Sequence, residues 1–116
     1  MLTLKTLTPE QIDAMPAGRE MDSLVAEQVM GWKYNLLGDA WENTGHGWVG
    51  YEKFMPSTDI AAAWAVADML HFSIISQHPI GWLVDTRSNT RLPFVEVYAN
   101  TAPLAICRAA LKVVTR

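Results

Sequence analysis

The chain has 116 residues, 50% of them hydrophobic and 18% charged, and a net charge of −3, which suits one globular domain with about two-thirds of its unfolded surface buried around a single core. A negative balance with nine scattered Lys and Arg excludes the basic footprint of a DNA- or RNA-binding domain. The single cysteine, Cys107, rules out an internal disulfide, and no window approaches the roughly 18 apolar residues of a membrane span.

The first element begins at Thr8-Pro9-Glu10-Gln11. Thr8 suits the cap, Pro9 the first helical position and Gln11 the third, where its amide can close a capping box. Pro16 interrupts this turn. A second helix is predicted over residues 17–30, with Met21, Leu24, Val25, Gln28 and Val29 inward, Arg19, Glu20, Asp22 and Glu27 outward, and Gly31 as its stop. Residues 32–56 are aromatic and glycine-rich; they predict short strands over 32–36 and 48–53 joined by an irregular loop, the place where a site would be built.

Ser57-Thr58-Asp59 caps a third helix over residues 58–70, whose predicted inward stripe is Ile60, Ala63, Trp64, Ala67 and Leu70. Residues 72–76 read either as a strand or as that helix's irregular exit, broken by Gln77-His78-Pro79. Residues 81–86 and 94–99 predict an antiparallel hairpin. Thr101-Ala102-Pro103 then caps a last helix over 102–114, apolar nearly all round and suited to lie on a sheet. The reading is α+β throughout: a single-domain α-β-α sandwich over residues 1–116 with a small, mainly antiparallel sheet. The cytosol is the expected compartment, since residues 1–5 show no signal-peptide pattern. A low surface charge and five tryptophans favour a homo-oligomer.

Three ordered segments carry a resemblance. Residues 9–22 with 25–32, residues 51–64 ending in Ser-Thr-Asp-Ile-Ala-Ala-Ala-Trp, and residues 101–111 together resemble the phage ABA sandwich domain family. The resemblance implies an α-β-α sandwich from a phage or prophage. It brings no established catalytic residues, and residues 35–50 stand out as the segment individual to this chain.

No residue cluster has the spacing of a known catalytic or metal motif. Gly45-His46-Gly47-Trp48-Val49-Gly50 has the letters of a dinucleotide fingerprint but lacks the strand before and the helix within that the mechanism needs. Asp39, Glu42 and His46 fall at helical spacing, but their glycine neighbours argue for a solvated loop rather than a metal site. Cys107 sits among apolar neighbours and reads as core, and His71 and His78 read as helix-end and loop residues. Arg108 interrupts the apolar last helix. It pairs with Asp59, Asp22 or Glu20, or it clamps an anionic ligand.

The ligand-binding set this suggests is Trp32, Trp48, Thr58, Asp59, Thr101 and Arg108: indoles for stacking, free amides at two helix starts and one guanidinium. With no catalytic set, cofactor or metal expected, the leading reading is a non-enzymatic accessory protein sequestering a nucleotide immune signal of the host. The alternative is a protein-interaction module that inhibits or modifies a host protein through residues 32–56.

Overall fold

The computed structural model describes residues 7–43, 47–71, 74–86 and 91–115. Helix α1, Pro9–Ala14, opens on the expected capping box: the Gln11 N–H donates to Thr8 Oγ1 at 3.2 Å, and the Thr8 N–H donates to Gln11 Oε1 at 2.8 Å. Helix α2, Arg19–Leu24, runs into a widened π turn at Val25–Val29. Gly31, at φ +75°, ends it, and the Trp32 N–H reaches the Ala26 carbonyl at 2.9 Å. A regular Schellman closure would place that acceptor one residue later; the extra residue of the π turn accounts for the shift. The same widening moves the inward face, so that Ala26 is buried and Gln28, expected inward, is exposed.

A meander follows: β1 Lys33–Asn35, β2 Ala40–Asn43 and β3 Gly47–Gly50, antiparallel in that order, then a short 3₁₀ turn at Tyr51–Lys53. The expected strands at 32–36 and 48–53 are thus shorter, and what read as an irregular loop contains a central strand. That strand places Trp41, 1% exposed, opposite both Tyr34 and Val49. The predicted hairpin at 81–86 and 94–99 is present as β5 Gly81–Asp85 and β6 Glu96–Ala99, with β4 Ile74–His78 paired on the other side of β5. The strand alternative for residues 72–76 therefore holds from Ile74 onward, and Pro79 sits in the tight β4–β5 turn rather than cutting the strand short.

Helix α4, Ala102–Val114, lies on this second sheet against β5 and β6, while α3, Ile60–Met69, packs on α4 together with α1 and the π turn. Alanines explain the closeness. Ala62, Ala63 and Ala67 on α3 and Ala105, Ala109 and Ala110 on α4 are buried, and small side chains let helix backbones approach. Ala62, Ala63, Val66 and Ala67 form the inward face of α3, so the predicted stripe is rotated: Ile60 and Trp64 remain 43% and 47% exposed. A bulky indole between the two helices would hold them apart. Cys107 is fully buried, and burial pushes its thiol pKa up, which makes it core, as its neighbours predict.

Asp22, expected on the solvent face, is 2% exposed. Its carboxylate accepts the Ser57 N–H at 2.8 Å and bonds the Tyr51 hydroxyl, and Ser57 Oγ accepts the Gly18 N–H at 3.0 Å. This network ties the segment before α3 to the start of α2. Burial raises the Asp22 pKa above the ordinary aspartate value, with the bonds from Ser57 and Tyr51 opposing it. Because the folded-state value is the higher one, the stability this group supplies is fully present below about pH 4 and is lost as pH rises through the folded value. Asp22→Asn keeps an oxygen for Ser57 and removes the buried charge; unfolding in urea at neutral pH is expected to change by no more than about 1 kcal/mol. Asp22→Ala strands the Ser57 N–H and is expected to cost about 2 kcal/mol or more.

Candidate functional site

A cavity of about 400 Å³ opens between the α2–π segment and the first sheet, lined by Arg19, Ser23, Glu27, Trp32, Lys33, Tyr34 and Trp41. The volume falls within the range of small-ligand sites. The helical segment supplies Arg19, Ser23 and Glu27 at i, i+4 and i+8, one stripe of a helix surface. Gly31 reverses the chain so that Trp32, Lys33 and Tyr34 border the same cavity, and pairing in the meander sets Trp41 edge-on to Tyr34, ring centroids 5.1 Å apart.

Arg19 anchors one side. Its Nη2 donates to Asp39 Oδ1 at 2.8 Å and to the Tyr34 hydroxyl at 2.9 Å, and its guanidinium carbon lies 4.1 Å from the Tyr51 ring centroid. The Tyr34 hydroxyl donates to Asp39 as well. These bonds, the Tyr34 hydroxyl first and Arg19 second, hold the Asp39 carboxyl below the usual carboxylate range. Asp39 stands at φ +45° in the β1–β2 turn, a conformation that Asn and Asp tolerate better than most residues. Two groups in the pocket stand out for what they lack. Among the described residues Lys33 has no ion-pair partner, and the buried Trp41 Nε1 has no acceptor. A buried N–H without a partner is uncommon, because leaving it unmade costs the full desolvation of that group.

The sequence-based set is only partly brought together. Trp32 lines this pocket, half-buried, with its ring 4.6 Å from that of Phe54. Trp48, 59% exposed on β3, borders a separate cleft of about 430 Å³ with Asn35, Leu37, Gly38 and Ala40. The two helix starts do meet, in a third cleft of about 350 Å³ lined by Ile60, Trp64, Trp82, Asn100, Thr101, Ala102 and Pro103. Their caps are occupied by the protein itself: Asp59 accepts the Ala61 N–H at 3.3 Å and Thr101 accepts the Leu104 N–H at 3.4 Å. Thr58 is not the cap; it lies one residue outside, its hydroxyl donating to the Met55 carbonyl.

Arg108 lies away from all three clefts. The expected ion pair is not among its contacts with the described residues; its Nη2 donates to the Met15 carbonyl at 3.0 Å and so closes the C-terminal end of α1, while its buried Nε has no partner there. Arg108→Ala is therefore expected to lower stability by about 1 to 2 kcal/mol through the lost bond and stem packing, seen as a lower melting temperature with ligand affinity unchanged.

Other candidates find quieter places. His46 and residues 45–46 of the glycine-rich motif lie outside the described residues, while Gly47–Gly50 is strand rather than the start of a helix. Among the described residues no three His, Cys, Asp or Glu side chains are grouped to hold a metal, and no helix is long and apolar enough to cross a membrane. His78 ends strand β4 instead of lying in a loop, and its Nε2 is 2.9 Å from Ser76 Oγ. That pair is exposed, borders none of the three clefts, and has no carboxylate orienting the imidazole among the described residues, so it lacks the third member a Ser-His nucleophile requires. Of the pocket residues only Trp32 is in the sequence-based set; Arg19, Glu27, Lys33 and Trp41 are missed, and for Arg19 the partners lie 15 and 20 residues away, its one local signal being its position beside Gly18.

Two antiparallel sheets with four helices among the described residues make this an α+β sandwich with a lateral cavity. The chain belongs to the phage ABA sandwich domain family, whose model matches residues 23–111. It is similar in structure to a phage protein from Bacillus cereus ATCC 14579 solved at 2.0 Å, with 24% sequence identity and a TM-score of 0.63 over 90% of this chain and 95% of that one. That likeness supports the fold. No curated protein matches the sequence.

Proposed function

We propose that this phage protein is a non-enzymatic accessory protein that captures a nucleotide, acting as a sponge that removes a nucleotide immune signal of the host. The observation that supports this most is the Arg19–Trp41 pocket. It combines a cation without an ion-pair partner among the described residues (Lys33), an arginine with further guanidinium N–H groups beyond the Nη2 bonds, an indole available for stacking (Trp32) and a buried N–H in need of an acceptor (Trp41). Phosphate, base face and base edge call for those groups in turn. Of the sequence-based residues, Trp32 is retained in this proposal and Arg19 takes the part first given to Arg108. Calorimetric titration of the full chain with cyclic and linear nucleotides tests it. Saturable heat is expected with at least one of them, lost in Arg19→Ala/Lys33→Ala with the circular dichroism spectrum kept; silence with every nucleotide overturns the proposal.

A second reading has its own observation. Leu36 and Leu37 at the β1–β2 turn are 83% and 100% exposed, beside the exposed Trp48, and exposed apolar groups gathered in one place favour contact with another protein. A module that inhibits or modifies a host protein would bind through this tip. Capture of a host protein that is lost in Leu36→Ser/Leu37→Ser and indifferent to Lys33→Ala would favour it over nucleotide capture.

A further inference from the structure

We infer that the base read by this pocket is guanine and that Glu27 reads it, an inference that rests on the nucleotide-binding reading above. Glu27 is half-buried on the π turn, lines the cavity, and its carboxylate has no hydrogen-bond partner among the described residues. π turns are rare and concentrate at functional sites; this one sets the frame of the helical segment at the residue in question.

A carboxylate presents two acceptor oxygens and no donor. Along its pairing edge guanine offers two adjacent donors, the N1–H and the 2-amino group, with O6 as the next atom group. Adenine offers one donor, its 6-amino group, beside a lone pair on N1 that faces a carboxylate oxygen unfavourably. Cytosine repeats that arrangement, and uracil has a single N–H between two carbonyls. Only guanine meets two acceptors with two donors. The Trp41 N–H is donor-only, lacks a partner among the described residues and exposes less than 1 Å² to solvent, so guanine O6, directly beside N1–H, supplies its acceptor once the indole edge shifts towards the cavity. The three contacts then fall on one edge of one base, with the half-buried Trp32 ring available to its face and Lys33 and Arg19 to its phosphate.

Calorimetry of the full chain with GMP, IMP, AMP and CMP tests the inference. A hydrogen bond to a charged group corresponds to about tenfold or more in affinity, so GMP is expected to bind at least about tenfold more tightly than AMP and CMP. IMP, which keeps N1–H and O6 but lacks the 2-amino group, is expected between them. Glu27→Gln, an exchange on a partly exposed position, is expected to bring GMP down to the affinity of AMP or below it, while AMP is unchanged or tighter because the carboxamide offers adenine N1 a donor and its 6-amino group an acceptor. Equal binding of GMP and AMP, or an undiminished GMP affinity in Glu27→Gln, overturns the guanine assignment and leaves nucleotide capture standing. Absence of binding by all four, and by cyclic nucleotides as well, overturns both.

Discussion

Gly81→Ala is expected to destabilise the protein by about 3 kcal/mol or more. Gly81 stands at φ +139°, and a Cβ added there would lie 2.4 Å from the Ala99 carbonyl oxygen and 3.1 Å from its carbon. Two costs combine. The φ region is one that residues with a Cβ rarely adopt, at about 1 to 3 kcal/mol, and the clash is with backbone rather than with the end of a flexible side chain. Relief requires β6 to move away from β5, yet β6 is held by its ladder with β5 and by Val97 and Ala99, both buried under α4. Urea unfolding monitored by far-ultraviolet circular dichroism checks this through a lower midpoint at similar slope. A change below about 1 kcal/mol would mean that β6 yields easily and that the second sheet is looser than described.

Trp41→Ala carries an expected loss of about 3 to 5 kcal/mol, the range for deleting a large buried aromatic side chain. Trp41 is the largest fully buried side chain of the described residues, and it touches Tyr34 edge-on while sitting opposite Val49. Its removal would open the centre of the first sheet and detach the pocket wall. Trp41→Phe separates the two roles of the residue. It keeps most of the ring volume and removes an N–H that has no partner, so its stability cost is expected to be smaller, about 1 to 2 kcal/mol. Nucleotide affinity should nonetheless fall, because the donor to the base is gone. Equal stability loss in the two variants, from parallel denaturant titrations, would contradict this division.

Local chemistry made some of this molecule legible in its sequence. The Thr8–Gln11 capping box, the Gly31 stop, the Thr101 cap with Pro103 behind it and the β5–β6 hairpin each depend on residues a few positions apart, and each was found where the residue types place it. The inward face of α3 was not legible, because a helix apolar nearly all round gives no single stripe; contact with the alanines of α4 selects it. Strand β2 was hidden for a related reason. Four residues, Ala40–Asn43, carry too little alternation to announce a strand, and their pairing with both neighbours defines it.

The site was less legible than the fold. Trp32 is legible as one of the indoles available for stacking, and it borders the pocket. Arg108 stands out as a cation on an apolar helix, and a backbone carbonyl at the end of α1, far off in sequence, takes its Nη2 while its Nε stays buried without a partner among the described residues. The cation that does border the pocket, Arg19, looked like an ordinary outward residue, and only the folding of the β1–β2 turn brings Asp39 and Tyr34 to it. The π turn has no sequence mark of its own among Val25–Val29, since packing against α4 and β1 accompanies it.

A nucleotide bound in the pocket gives the Trp41 indole N–H an acceptor. Proton–nitrogen correlation spectra of the tryptophan side chains, recorded while GMP is added, measure that directly. One indole resonance, identified by its loss in Trp41→Phe, is predicted to move downfield and saturate with the calorimetric binding curve. If that resonance stays in place while GMP binds, the ligand lies elsewhere and the pocket described above is not the site.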